Sequence, residues 1–146
     1  MKTFTWAFIL LITGIFFVQS CKKHEVEKQE EPQYIVGEWQ LEKITVSGIE
    51  LGITDCHKQS FAIFESNGHA ESKYYTEYQD GDCELHLWYK GTWEYKDDKF
   101  YFHVEETNDS QSPETEDKEV HFIDTEHFYF EENYQGYLGK FYFKKK

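Results

Sequence analysis

The sequence contains no arginine: its 15 basic side chains are all lysines, set against 28 acids for a formal net charge of −13. A missing guanidinium removes the planar fork that grips phosphate or carboxylate at two points, and the acidic balance removes the basic stripe that sequence-independent nucleic-acid binding needs. Nucleic acid is excluded as a partner on these grounds. Helical periodicity near 3.6 residues is also missing, as are a phosphate-binding loop, EF-hand spacing and a G-x-S-x-G elbow. Helical bundles, nucleotide chemistry and hydrolase-type serine catalysis go with them. No catalytic residue, cofactor or resident metal is expected, and the protein reads as a non-enzyme. Cysteine is scarce, with Cys21, Cys56 and Cys83 alone.

The first feature present is an address. Lys2 precedes an apolar run from Phe4 to Val18, too short for a comfortable membrane span, and the chain then switches abruptly at Cys21 to Lys22-Lys23-His24-Glu25. A signal peptide is expected over residues 1–20. Val18-Gln19-Ser20-Cys21 resembles the lipobox of bacterial lipoproteins, which implies cleavage before Cys21, lipidation of that cysteine and attachment to the outer membrane of a Gram-negative cell. The alternative is an ordinary signal peptide with a free Cys21. Residues 21–34 are charged and polar, too poor in apolar area to order themselves, and read as a tether. Residues 35–144 then form one domain.

Within that domain the signal is alternation. In Cys83–Lys96 the odd positions Leu85, Leu87, Tyr89, Gly91, Trp93 and Tyr95 are apolar or small and the even ones mostly polar, Trp88 excepted. A two- or four-residue turn at Lys96–Lys99 sets Tyr95 opposite Phe100, Trp93 opposite Phe102, Gly91 opposite Val104 and Lys90 opposite Glu105. Further strands are expected at 35–46, 61–65, 69–78, 119–123, 127–131 and 137–143, with 47–59 and 106–117 as long loops. A turn at Asp80-Gly81 pairs Tyr74 with Leu87, Ser72 with Tyr89 and Ala70 with Gly91, and sets Glu77 against Glu84. One aromatic face and one wet face per hairpin imply a sheet curled on itself: an all-β, eight-stranded, up-and-down antiparallel barrel.

Hairpin order sorts the connections into an open mouth with long loops and a base with tight turns and both termini. Cys56 and Cys83 fall at the same mouth, and an oxidising envelope compartment favours a disulfide between them, two buried thiols being the alternative.

Gly37-Glu38-Trp39 resembles the GxW motif of lipocalins. The ordered set of GxW, Cys56, Phe64 to Gly68, Cys83 and Gly91-Thr92-Trp93 is similar to the lipocalin-like domain of many Bacteroidota lipoproteins, over about residues 35 to 131. This resemblance implies a non-enzymatic barrel whose base is plugged by Gly37 and Trp39. Lipocalins stack a last-strand arginine on that tryptophan; Lys140 or Lys144 would have to serve here.

The candidate ligand-binding residues are Tyr74, Tyr78, Leu85, Leu87, Tyr89, Trp93, Phe102, Phe122, Phe130 and Phe141, inside the barrel with Phe61 and Ile63. The expected ligand is a small neutral or cationic hydrophobic or aromatic molecule, since an acidic mouth repels anions. The competing expectation is a solid barrel docking a protein or glycan at its acidic mouth. His86, His103, His121 and His127 are placed on the outer faces, His103 beside His121, as solvated side chains. Asp80-Gly81-Asp82 and the acids from Glu105 to Glu119 read as a solvated rim.

Overall fold

The alternation closes. In the computed structural model the strands are β1 (Gly37–Val46), β2 (Ile49–Leu51), β3 (Phe61–Phe64), β4 (His69–Glu77), β5 (Cys83–Lys96), β6 (Lys99–Thr107), β7 (Glu116–Phe122), β8 (His127–Tyr134) and β9 (Tyr137–Lys145). The structure describes residues 32–78, 80–110, 115–134 and 136–146. The expected signal peptide, Cys21 and the charged segment through residue 31 lie outside the described residues. All pairings are antiparallel in the order β2-β1-β3-β4-β5-β6-β7-β8-β9, and β1 pairs with β9 from Trp39↔Lys145 to Val46↔Gly139. Eight strands therefore form a closed barrel, and β2 is a short ninth laid on the mouth half of β1, within what the sequence suggests is loop.

The expected registers hold at Tyr95↔Phe100, Trp93↔Phe102, Gly91↔Val104, Tyr74↔Leu87, Ser72↔Tyr89 and Ala70↔Gly91. Asp97 and Asp98 form the two-residue turn, both in the left-handed region at φ 52° and 62°. Two bulges shift the rest. One between Lys90 and Gly91 pairs Lys90 with Glu106, not Glu105. The other, between Tyr74 and Tyr75, sets Thr76 against Glu84 and Glu77 against Cys83, so the like-charge pair expected at Glu77 and Glu84 is avoided. Gly91 sits beside the first bulge, where the backbone passes too close for a side chain: a Cβ there would lie 1.8 Å from the His103 carbonyl oxygen.

Strand β3 faces the opposite way to the sequence expectation. Ala62 and Phe64 are buried and Phe61 and Ile63 look outward, because Phe64↔Ala70 and Ala62↔Ser72 fix the parity from β4. Strand β7 begins at Glu116 rather than Glu119, which brings Lys118 inside.

Rings from opposite walls meet across the lower interior. Phe64 on β3 lies 6.2 Å from Phe102 on β6 and 5.8 Å from Phe128 on β8, and Trp39 on β1 lies 5.6 Å from Phe122 on β7. Most are edge-on, each worth about 1 kcal/mol beyond the area buried. At the base, Trp39 Nε1 donates to Ile35 O at 2.8 Å, and Tyr34 packs edge-on against Phe100 and Phe122. The expected tether thus ends earlier, since Gln33–Ile35 is a 3-10 turn forming part of the plug.

The cation over Trp39 is neither Lys140 nor Lys144. Lys145 places its Nζ 5.2 Å from the indole centroid and donates to Tyr34 O at 2.8 Å. Phe141 and Phe143 face inward, so period two sends Lys145 in and Lys140 and Lys144 out. Lys140 pairs with Glu131 at 2.8 Å and lies over Tyr129. Lys144 is exposed.

At the mouth half, β3 ends before it can line β1, and residues 53–60 fill the gap between β1 and β4. Leu41 N donates to Ser60 O, Tyr75 N to Ser60 Oγ, and Cys56 is disulfide-bonded to Cys83 at the start of β5, with Cα atoms 5.4 Å apart. The bond closes a 27-residue separation. Replacing both cysteines by serine should lower stability by about 3 kcal/mol, read by urea unfolding, with amide exchange rising first in residues 53–60 and the mouth half of β4. Uniform loss of protection around the barrel would contradict this local role.

Candidate functional site in the upper barrel

Above the packed rings, the same inward parity delivers a different set of side chains. β4 contributes Ser72 and Tyr74, β5 Leu87 and Tyr89, β7 Glu116 and Lys118, β8 Glu132 and β9 Gly139 and Phe141. Tyr74, Tyr89 and Lys118 are buried, whereas Leu87, Glu116, Glu132 and Phe141 are half-buried, so water reaches the upper side of the group. Its floor is the ring layer below: Tyr74 lies 6.1 Å from Phe143, and Phe143 lies 5.9 Å from Phe130.

Lys118 is the centre of charge. Its side chain is 4% exposed, and its Nζ lies 3.0 Å from Glu116 Oε2, 2.7 Å from Glu132 Oε1 and 4.5 Å from the Tyr89 ring centroid. An ammonium has three donors; two go to carboxylates, and a ring face supplies the remaining surroundings. Burial raises the Glu132 carboxyl above the ordinary glutamate range, Lys118 pulls it down, and Glu116 and Asp109 push it up again. Burial also raises the Tyr74 and Tyr89 phenols, with Glu132 adding to both, so each stays a neutral hydroxyl. Ser72 is 1% exposed. Its hydroxyl acts on the Tyr74 phenol but closes no hydrogen bond of ordinary geometry among the described residues.

Of the ten residues expected to line a ligand site, Tyr74, Leu87, Tyr89 and Phe141 meet here. Trp93, Phe102, Phe122 and Phe130 belong to the packed interior below. Tyr78 stands on the rim, 48% exposed, and Leu85, 41% exposed, pairs with Tyr75 beyond the bulge at His86 and is thereby turned to the outer face. Lys118, Glu116 and Glu132 escape a hydropathy reading because they are charged. The signal that finds them is parity: stepping back by twos from Phe122 and Val120 reaches Lys118 and Glu116, and stepping on from Phe128 and Phe130 reaches Glu132.

The outer wall holds two open depressions of about 470 Å³ and 270 Å³, the first over Ile63, Glu71, Lys90 and Glu106, the second over Gln40, Glu42, Ile53 and Lys58. The histidines are spread over it. His103 stands across from Asp117, not His121, and contacts Asp117 and Glu94; His121 stacks on Tyr129 and lies 3.4 Å from Glu119; His127 is 2.9 Å from Asp124. Among the described residues no three His, Cys, Asp or Glu side chains converge as a metal would require. Of the large hydrophobic side chains exposed among the described residues, Ile49, Leu51, Tyr78, Leu85, Tyr137 and Leu138 ring the mouth and Ile123 lies at the base.

A family model described as a lipocalin-like domain matches residues 35–122. Among solved structures, the chain is similar to a de novo designed fluorescence-activating β-barrel, at 12% identity and a TM-score of 0.46, over 78% of this chain and 95% of the other. Comparison with curated proteins gives no match.

Lys118→Met leaves two partly buried carboxylates without their cation. The expected cost is about 2 kcal/mol, below that of breaking a fully buried pair because Glu116 and Glu132 keep contact with water. Without Lys118 the Glu132 carboxyl rises further, so the folded state takes up its proton at a higher pH than the unfolded chain. The deficit should therefore be smaller at pH 5 than at pH 8 by urea unfolding; an equal deficit at both would show that Glu132 does not feel Lys118.

Proposed function

We propose that the chain, which belongs to the lipocalin-like domain family, binds one small neutral or cationic molecule with an apolar or aromatic body, entered from the mouth and stopped at the Phe130–Phe143 layer. The observation that carries this is the change of character along the barrel axis. Below, rings touch from wall to wall and leave the interior to side chains. Above, half-buried Leu87 and Phe141 and the Tyr74 ring face an acid-rich cluster that water can reach, the mixture of apolar walls and few polar groups typical of a ligand pocket. Free fatty acids and other anions are disfavoured by Glu116, Glu132 and Asp109.

This is a binding protein rather than an enzyme, and we propose a lipid anchor at Cys21 holding it to an outer membrane. The described chain enters at the base, through Pro32 to Ile35, so an anchor there would turn the mouth away from the bilayer. A second reading, docking of a protein or glycan at the mouth, draws support from the six exposed apolar side chains ringing it among acids.

Two experiments test these proposals. N-phenyl-1-naphthylamine, a neutral probe that brightens in apolar surroundings, should bind with its emission enhanced. Gly139→Val should weaken that binding by about tenfold, because a Cβ at this inward position meets Phe141 at 3.4 Å and no backbone closer than 3.5 Å; undiminished binding by a folded variant would place the probe elsewhere. For the anchor, the protein expressed with its leader should partition into the detergent phase of Triton X-114, and Cys21→Ser should move it to the aqueous phase.

A further inference from the structure

We propose that the upper chamber is a seat for an alkyl- or arylammonium ion, and that Lys118 is its resident occupant, exchanged for the ammonium group of the ligand. The inference rests on the reading that the chamber takes a small molecule, and names the class. The surroundings of Lys118 Nζ, two carboxylate oxygens at 2.7 and 3.0 Å and the face of Tyr89 at 4.5 Å, contain nothing specific to a lysine. They are what any ammonium requires when removed from water. The charge balance favours a cation further: Glu116, Glu132 and Asp109 all act on this region, and Asp109 is felt by both Glu132 and Tyr89.

Exchange has a clear thermodynamic logic. Replacing one ammonium by another leaves the electrostatics of the seat nearly unchanged, while the displaced lysine recovers hydration and rotamer freedom. The body of the ligand then covers Leu87 and Phe141, apolar surface that now meets water. A second feature lies on the same inner face. Ser72, adjacent to Tyr89 in register and of the same inward parity as Tyr74, carries a buried hydroxyl that acts on the Tyr74 phenol but closes no hydrogen bond of ordinary geometry among the described residues. A buried hydroxyl is ordinarily satisfied; a hydroxyl or ether on the body of the ligand would complete it.

Calorimetric titration of the purified protein with benzylammonium, its neutral isostere benzyl alcohol and benzoate tests the seat. Benzylammonium should bind at least about tenfold more tightly than benzyl alcohol, the scale of a charge-assisted hydrogen bond over a neutral one, and benzoate not at all. Glu132→Gln should reduce the preference to about twofold or less, and Lys118→Gln, lacking the resident cation, should bind benzylammonium more tightly than the parent. On the unaltered protein, benzylammonium should shift the Glu132 side-chain carboxyl ¹³C resonance and benzyl alcohol should not, which keeps the test independent of variant folding. Equal affinity for benzylammonium and benzyl alcohol would overturn the ammonium seat while leaving the chamber standing. Failure of every probe, N-phenyl-1-naphthylamine included, would overturn both.

Discussion

Pairing of β1 with β9 is the constraint on which the rest depends. A sheet of this length could remain open, with its aromatic face exposed and two edges free to pair with other chains; once Trp39 to Val46 bond to Lys145 back to Gly139, inside and outside are defined for every strand between. Closure has local requirements, and the chain meets them with bulges in β1, β5 and β6 and with Gly91, where no side chain fits. The seam is incomplete in one place. Above β3 the wall is made by residues 53–60, with a 3-10 turn at His57–Gln59 in place of a strand, held by Ser60 and by the Cys56–Cys83 bond, so a covalent link stands where ladder hydrogen bonds are missing.

Much of this was legible from residue order. Period two marks each long strand, and apolar-to-apolar matching placed Trp93 against Phe102 and Tyr74 against Leu87, because a slip by one residue would turn a whole face to water. What was not legible follows from the same rule. Strand β3 has only four residues, all apolar, so alternation carries no parity in Phe61-Ala62-Ile63-Phe64, and only its partner β4 decides which two go in. Bulges are invisible in composition, and they moved Lys90 and Glu77 to new partners. Lys118, Glu116 and Glu132 were hidden by the assumption that charge lies outside, which fails where a barrel opens and its inner wall becomes wet.

The two ends of the interior thus obey different physics. Toward the base, burial of aromatic area outweighs every other contribution, and the Lys145 ammonium is satisfied by the Tyr34 carbonyl and the Trp39 ring. Toward the mouth an ion pair is tolerated because it sits where desolvation is partial, and because two carboxylates and a ring share one cation. The packed base and the charged upper interior are the same sheet at two depths.

Lys145 reaching back to Tyr34 has a consequence for how the molecule can change. Beginning and end of the domain are clasped at one pole, so neither takes part in the loops at the other. Those loops can lengthen, shorten or exchange their chemistry while the clasp, and any attachment made through the leading segment, keeps the same footing. The two poles are in this way free to evolve at different rates.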